Sequence, residues 1–216
     1  MILGLLSLVL AQTTEVDLHA LYNHDLFPTG DGPPPYYRLS ESYTISLPFP
    51  MHVRVEEAPD VLLLSPGQLT SIPIGSAGHT LYLLTAGYGT LESRDIAADG
   101  TLRYANGQVQ NIKWLVGEHA WPAWAGATGR SADPVALGRN PSGDLLTASL
   151  LTVPLAYPDV PLTSVEIKAR NGSLKLALMS LAISTEEPAP VQAERLESPD
   201  RWYDFPLRTD RPLPGL

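Results

Sequence analysis

The chain has 216 residues, of which 44% are hydrophobic and 17% charged, with 21 prolines, 17 glycines and no cysteine. This allows one large β domain with extensions, or two small ones, and it excludes disulfides, thiolate zinc sites and cysteine nucleophiles. A net charge of -9 without a basic run argues against a nucleic-acid binder, and weakly against anionic membranes and polyanionic glycans as partners.

Low charge and many turn-formers favour an all-β protein, and amphipathic helical periodicity is hard to find. Residues 2–10 (ILGLLSLVL) form an apolar run too short to span a bilayer as a helix. Ala11 follows as a small cleavage-site residue, so residues 1–11 read as the signal peptide of an exported protein. The alternative is a buried first strand. Residues 12–42 read as an N-terminal strand and a Pro/Gly-rich arm. Val16, Leu18 and Ala20 alternate with polar residues, which predicts an edge strand over 15–22. Gly30, Gly32 and Pro33, Pro34 and Pro35 then forbid regular structure. Asp25 and Asp31 faintly resemble a calcium loop, since hard cations take clustered oxygens. Their spacing matches no motif, so the reading is a solvated turn with no cofactor.

Short strands are predicted at 43–47, 52–55 and 60–64, with a turn at Ser65, Pro66 and Gly67. Leu69, Ile72 and Ile74 continue the pattern. Residues 79–86 predict a central strand apolar on both faces, ended by Gly87 and Gly89. Strands at 91–96, 101–104 and 109–114 follow, separated by Asp99-Gly100 and Asn106-Gly107. Asn-Gly and Asp-Gly between alternating strands are strong hairpin signals, because turn residues there take positive φ. Residues 115–143 read as one long irregular segment, of the kind that carries function when it lies inside a compact domain. A strand at 144–153 precedes Leu162–Ala169 and Leu174–Ser184, read as a hairpin turning at Asn171-Gly172. Residues 185–216 read as a Pro-rich linker and tail. Ten or eleven short strands predict an all-β jelly-roll β-sandwich over 43–184.

Several of these segments carry a family resemblance. Residues 81–87 (LYLLTAG) are followed by Tyr104-Ala105-Asn106-Gly107, then Ile112 and Trp114, then Ala123-Trp124-Ala125-Gly126. Residues 158–165 (PDVPLTSV), 181–184 (LAIS), Val16-Asp17-Leu18 and Tyr22-Asn23 complete the pattern over 15–184. The pattern resembles the galactose-binding-like jelly rolls, the fold of many carbohydrate-binding modules of bacterial exported proteins. Asn106 stands where that family commonly has Asp, and Tyr157 where an aromatic-Asn-Pro run falls. The resemblance implies a β-sandwich fold and a carbohydrate ligand.

No G-x-S-x-G elbow is present, and His19, His24, His52, His79 and His119 show no metal-ligand spacing. No metal site is expected. Glu118, Asp133 and Asp144 flank the long segment, with Glu92 and Asp95 one strand earlier. Held at the right separation, two such carboxylates could hydrolyse a glycosidic bond, which makes a glycoside hydrolase the minority reading. Sugar binding needs flat aromatic faces with amides, carboxylates or guanidinium groups nearby. Trp121 and Tyr88 are the aromatic candidates, with Glu118, His119, Arg130, Arg139 and Asn140 as polar ones. Trp114 and Trp124 read as core plugs under the loop. In the tail, Trp202, Tyr203 and Phe205 have the composition of a protein-docking hot spot. The expected role is therefore a non-catalytic carbohydrate-binding module. The alternative is an assembly subunit that makes protein contacts through its arm and tail.

Overall fold

The computed structural model describes residues 13–24, 43–46, 50–53, 59–89, 96–120, 132–139, 145–170 and 174–188. Its strands are β1 (Thr13–Glu15), β2 (Tyr43–Ser46), β3 (Pro50–Val53), β4 (Leu62–Leu63), β5 (Leu69–Ser76) and β6 (Thr80–Gly89). They continue as β7 (Ile96–Tyr104), β8 (Val109–Leu115), β9 (Asp133–Arg139), β10 (Leu145–Pro154), β11 (Leu162–Ala169) and β12 (Leu174–Ser184). A single 3-10 turn, His19–Leu21, is the one helical element among the described residues.

The protein is an all-β jelly-roll sandwich. The large sheet has the order β1-β12-β6-β10-β9, with β4 also paired to β12, and the small sheet has the order β5-β11-β7-β8. All the pairs are antiparallel. The chain changes sheet between β4 and β5, β5 and β6, β6 and β7, β8 and β9, β10 and β11, and β11 and β12. That alternation packs the two antiparallel sheets against each other as a β-sandwich.

The two sheets read differently in sequence because they are covered differently. In the small sheet, Leu162, Val165, Ile167 and Ala169 of β11 are buried while Thr163 and Lys168 are exposed. One face of this sheet meets the core and the other meets water. In the large sheet, residues 80–86 of β6 and 176–184 of β12 are buried at every position. Leu81, Leu83, Leu181 and Ile183 join Leu102, Trp114, Val165 and Ile167 in the core between the sheets. Strand alternation turns Tyr82, Leu84 and Ala182 to the opposite face, and these are buried too. The N-terminal part of the chain supplies cover there. Strand β3, paired with β2 in a separate hairpin, lies against β12. The Tyr22 hydroxyl donates to the Met179 carbonyl at 2.8 Å. The Asn23 side chain accepts from Leu63 N–H at 2.8 Å and donates to Leu63 O at 3.1 Å, standing in for a strand partner beside β4.

Several sequence expectations are corrected by this arrangement. The N-terminal strand is β1, which ends at Glu15, and not 15–22. Asp17 Oδ1 accepts the His19 N–H at 2.9 Å and opens the 3-10 turn instead. Strand β6 does not stop at Gly87. It runs to Gly89 because β12 supplies a ladder partner for each of those residues, Leu176 for Gly87 and Leu174 for Gly89. Asp99-Gly100 is not a turn but the middle of β7. A Cβ on Gly100 would meet Ile112 Cγ1 at 2.5 Å and Trp114 Cζ3 at 2.7 Å, so this glycine is there for packing. The Asn106-Gly107 hairpin forms, but as a three-residue connection. Gly107 N–H donates to Tyr104 O, Tyr104 N–H donates to Gln108 O, and Gly107 takes φ 82°. Leu162–Ala169 and Leu174–Ser184 are both strands, yet they do not form a hairpin. β11 pairs with β5 and β7, whereas β12 pairs with β1, β4 and β6. The four residues between them are enough to cross roughly 10 Å from sheet to sheet. The segment 115–143 is interrupted by β9, which closes the edge of the large sheet. The proposed signal peptide at 1–11, the turn with Asp25 and Asp31, and the tail from 189 lie outside the described residues.

Candidate functional site

The register gives the sandwich two distinct ends. At the upper end β6, β8, β9 and β11 finish and β5, β7, β10 and β12 begin. Tyr88 near the end of β6 lies opposite Lys175, Leu115 at the end of β8 lies opposite Ile96, and Arg139 at the end of β9 lies opposite Leu145. Tyr88, the Glu118–His119 turn and Arg139 therefore arrive at one end of the molecule from three separate parts of the chain. Tyr88 and Arg139 sit within strands, where sequence had placed them in loops. Trp121, Arg130 and Asn140 lie outside the described residues, as do Trp124 and, in the tail, Trp202, Tyr203 and Phe205.

Residues Val116 to Ala120 form a tight platform at the top of β8. The Leu115 carbonyl accepts from the N–H groups of Glu118, His119 and Ala120 at 3.2, 2.8 and 3.3 Å. Gly117, at φ 85°, donates its N–H to Ala120 O at 2.9 Å. His119 Nδ1 accepts the Leu115 N–H at 3.2 Å, which fixes the ring over the end of the strand. Burial holds the His119 pKa below the usual histidine range, and Glu118 pulls weakly the other way. Beneath this platform Trp114 is 0% exposed, as expected for a core plug, and its indole N–H is buried without a partner among the described residues.

From the platform the chain passes from the small sheet to the large one. β8 is an edge strand of the small sheet and β9 an edge strand of the large one. Residues 121–131 join them, and the chain enters β9 at Asp133, opposite Leu150 and well below the upper rim. Burial pushes the Asp133 carboxyl above the usual carboxylate range. A half-buried histidine and a half-buried carboxylate thus stand at the two ends of the stretch that carries Trp121. Ionisable groups shifted by desolvation mark candidate sites for ligands.

Sequence reasoning missed the outer face of the small sheet. Its register aligns Leu69, Lys168, Asp99 and Lys113 in one row across the sheet, and Ser71, Glu166, Thr101 and Asn111 in the next. Arg170 Nε and an Arg170 terminal nitrogen contact Asp99 Oδ2, and Arg103 Nε contacts Glu166 Oε1 at 2.7 Å. Hydrogen bonding from Arg103 lowers the Glu166 pKa, and the same pair raises that of Arg103. A shallow depression of about 400 Å³ beside this row is lined by Gly67, Lys168, Ala169 and Arg170. The available signal was the alternation Lys168-Ala169-Arg170, which puts both cations on one face of β11.

The lower end is different. The Tyr104 hydroxyl donates to Gln110 Oε1 at 2.6 Å, Ala156 N–H donates to the same oxygen at 2.9 Å, and Gln110 Nε2 donates to Pro154 O at 2.9 Å. The Tyr157 ring meets Tyr104 edge-on at 5.0 Å, and its hydroxyl donates to Gln108 Oε1 at 3.1 Å. These bonds tie the β7–β8 hairpin to the β10–β11 connection, and most of the cluster's polar groups are consumed in doing so.

Among the described residues no group of three or more His, Cys, Asp or Glu could hold a metal ion, and no helix is long and apolar enough to cross a membrane. No protein-family model matches the chain, and a search of curated proteins also finds no match.

Proposed function

We propose that the protein is a non-catalytic binding module of an exported protein, with a carbohydrate as its ligand, built on a galactose-binding-like jelly roll. The observation that supports this reading is the strand register, which brings the backbone at Tyr88, the Glu118–His119 turn and Arg139 to the upper end of the sandwich. A flat aromatic gives a pyranose face something to stack on, and the carboxylate, imidazole and guanidinium groups hold its hydroxyls. Arg130 and Asn140 belong to the same proposed set. A rigid sandwich presenting loops is the usual support for such recognition. The carboxylates Glu118 and Asp133 serve ligand binding in this reading, and no hydrolytic step is assigned to them.

A glycan array probed with the purified protein tests the reading. Saturable binding to a restricted set of glycans, competed by the free sugar, is the expected result. Uniform failure to bind, with turnover of a glycoside lost on replacing one carboxylate, would contradict it.

The second reading is an assembly subunit, in which the arm and the tail residues Trp202, Tyr203 and Phe205 contact other subunits. It draws on the third layer over β12, where β3 lies against the sheet, because covering arms can exchange between neighbouring copies. A homomeric species that dissociates when the chain is cut after Thr185 would favour it.

A further inference from the structure

The chain carries three lysines in all, Lys113, Lys168 and Lys175, within a net charge of -9. All three belong to the upper part of the sandwich. Lys113 and Lys168 lie opposite Asp99, one on each neighbouring strand, and Lys175 lies opposite Tyr88. Lys113 and Lys168 stand in one row on the exposed face of the small sheet, separated by two strand spacings of about 5 Å each. The two acids of that face are already engaged: Asp99 is held by Arg170, and Glu166 by Arg103. That leaves both lysine ammonium groups without an ion-pair partner among the described residues. The row ends at Leu69, which is 57% exposed, and the depression lined by Gly67, Lys168, Ala169 and Arg170 opens beside it. At the other end Lys113 leads directly up β8 into the Glu118–His119 turn.

We infer that the ligand is a carboxylate-bearing glycan, and that Lys113 and Lys168 hold its acidic groups on the face running from the Gly67 depression to the His119 turn. This rests on the carbohydrate reading above and names the class of sugar. With Asp99 and Glu166 each paired to an arginine, Lys113 and Lys168 leave this face net positive on an acidic protein, which concentrates anions locally. Two point charges spaced across the sheet suit a polymer with single negative charges at intervals. A densely sulfated chain would meet the net negative charge of the molecule. The apolar Leu69 side chain and the Gly67 depression give the sugar body a surface beside the charge.

Titration calorimetry with polygalacturonate, alginate and hyaluronan, each beside its carboxyl-reduced neutral form, tests the inference. At least one acidic polymer should bind, and its reduced counterpart should bind at least about tenfold more weakly. The double variant Lys113→Ala/Lys168→Ala should lose a similar factor, and Lys113→Arg/Lys168→Arg should retain binding. Added salt should weaken the acidic complex and leave any neutral one unchanged. Both lysines are exposed, so the variants should unfold at the wild-type temperature, as circular dichroism can check. Equal affinity for acidic and reduced forms, or full affinity in the double alanine variant, overturns the inference and leaves carbohydrate binding standing. Binding to none of these polymers and to no glycan on the array overturns both.

Discussion

His119 and Asp133 are both held partly out of water, and the fold favours the uncharged form of each. Their pH signatures therefore run in opposite directions. The folded pKa of His119 lies below its ordinary 6.5, so its contribution is complete above pH 6.5 and is lost as pH falls from there through the lowered value. The folded pKa of Asp133 lies above its ordinary 3.8, so its contribution is complete below 3.8 and is lost as pH rises through the raised value. Urea unfolding should show His119→Asn losing less stability than wild type between pH 7 and pH 5. Asp133→Asn should be more stable than wild type at pH 7, with the gain shrinking towards pH 3. At Gly100 the added methyl of Gly100→Ala would press on Ile112 and Trp114. It should cost about 1–3 kcal/mol by chemical denaturation. Of these residues, Trp114 was legible as core from its place at the end of an alternating strand. Gly100 was not, because Asp-Gly signals a turn unless the bulky residues opposite it are known.

At the level of elements, the β7–β8 hairpin depends on one side chain from outside its turn. Gln110 satisfies the Tyr104 hydroxyl and the Ala156 N–H and donates to Pro154 O. Gln110→Ala removes all three bonds, so a loss of roughly 2–3 kcal/mol is expected in equilibrium unfolding. Sequence periodicity located β8, β10, β11 and β12 to within a residue or two, because each is long and apolar on at least one face. It failed at pairing. Residues 162–184 look like a hairpin in sequence, and only the competition of β5, β7, β6 and β4 for these strands separates them into two sheets. β9 was missed because Asp133, Pro134 and Gly138 depress its strand propensity, and its pairing to the edge of β10 overrides that local preference.

At the level of the whole molecule, the jelly roll follows from many short strands that alternate between two sheets. Its two kinds of sheet explain its composition: β6 and β12 are apolar throughout because both faces are covered, and β11 alternates because one face is wet. The candidate site was legible only in part. Glu118 and His119 stand out in sequence beside three tryptophans, but that the strands bearing Tyr88 and Arg139 end at the same end of the sandwich depends on register. The cationic row escaped notice because it is assembled from β8 and β11, which are neighbours of β7 and not of one another. The proposed binding of a glycan at the upper end of this sandwich rests on Trp121. Calorimetric titration of wild type and Trp121→Ala with the best glycan from the array tests it most directly. The variant is expected to keep its unfolding temperature and to lose about tenfold or more in affinity. Unchanged affinity in Trp121→Ala would contradict it.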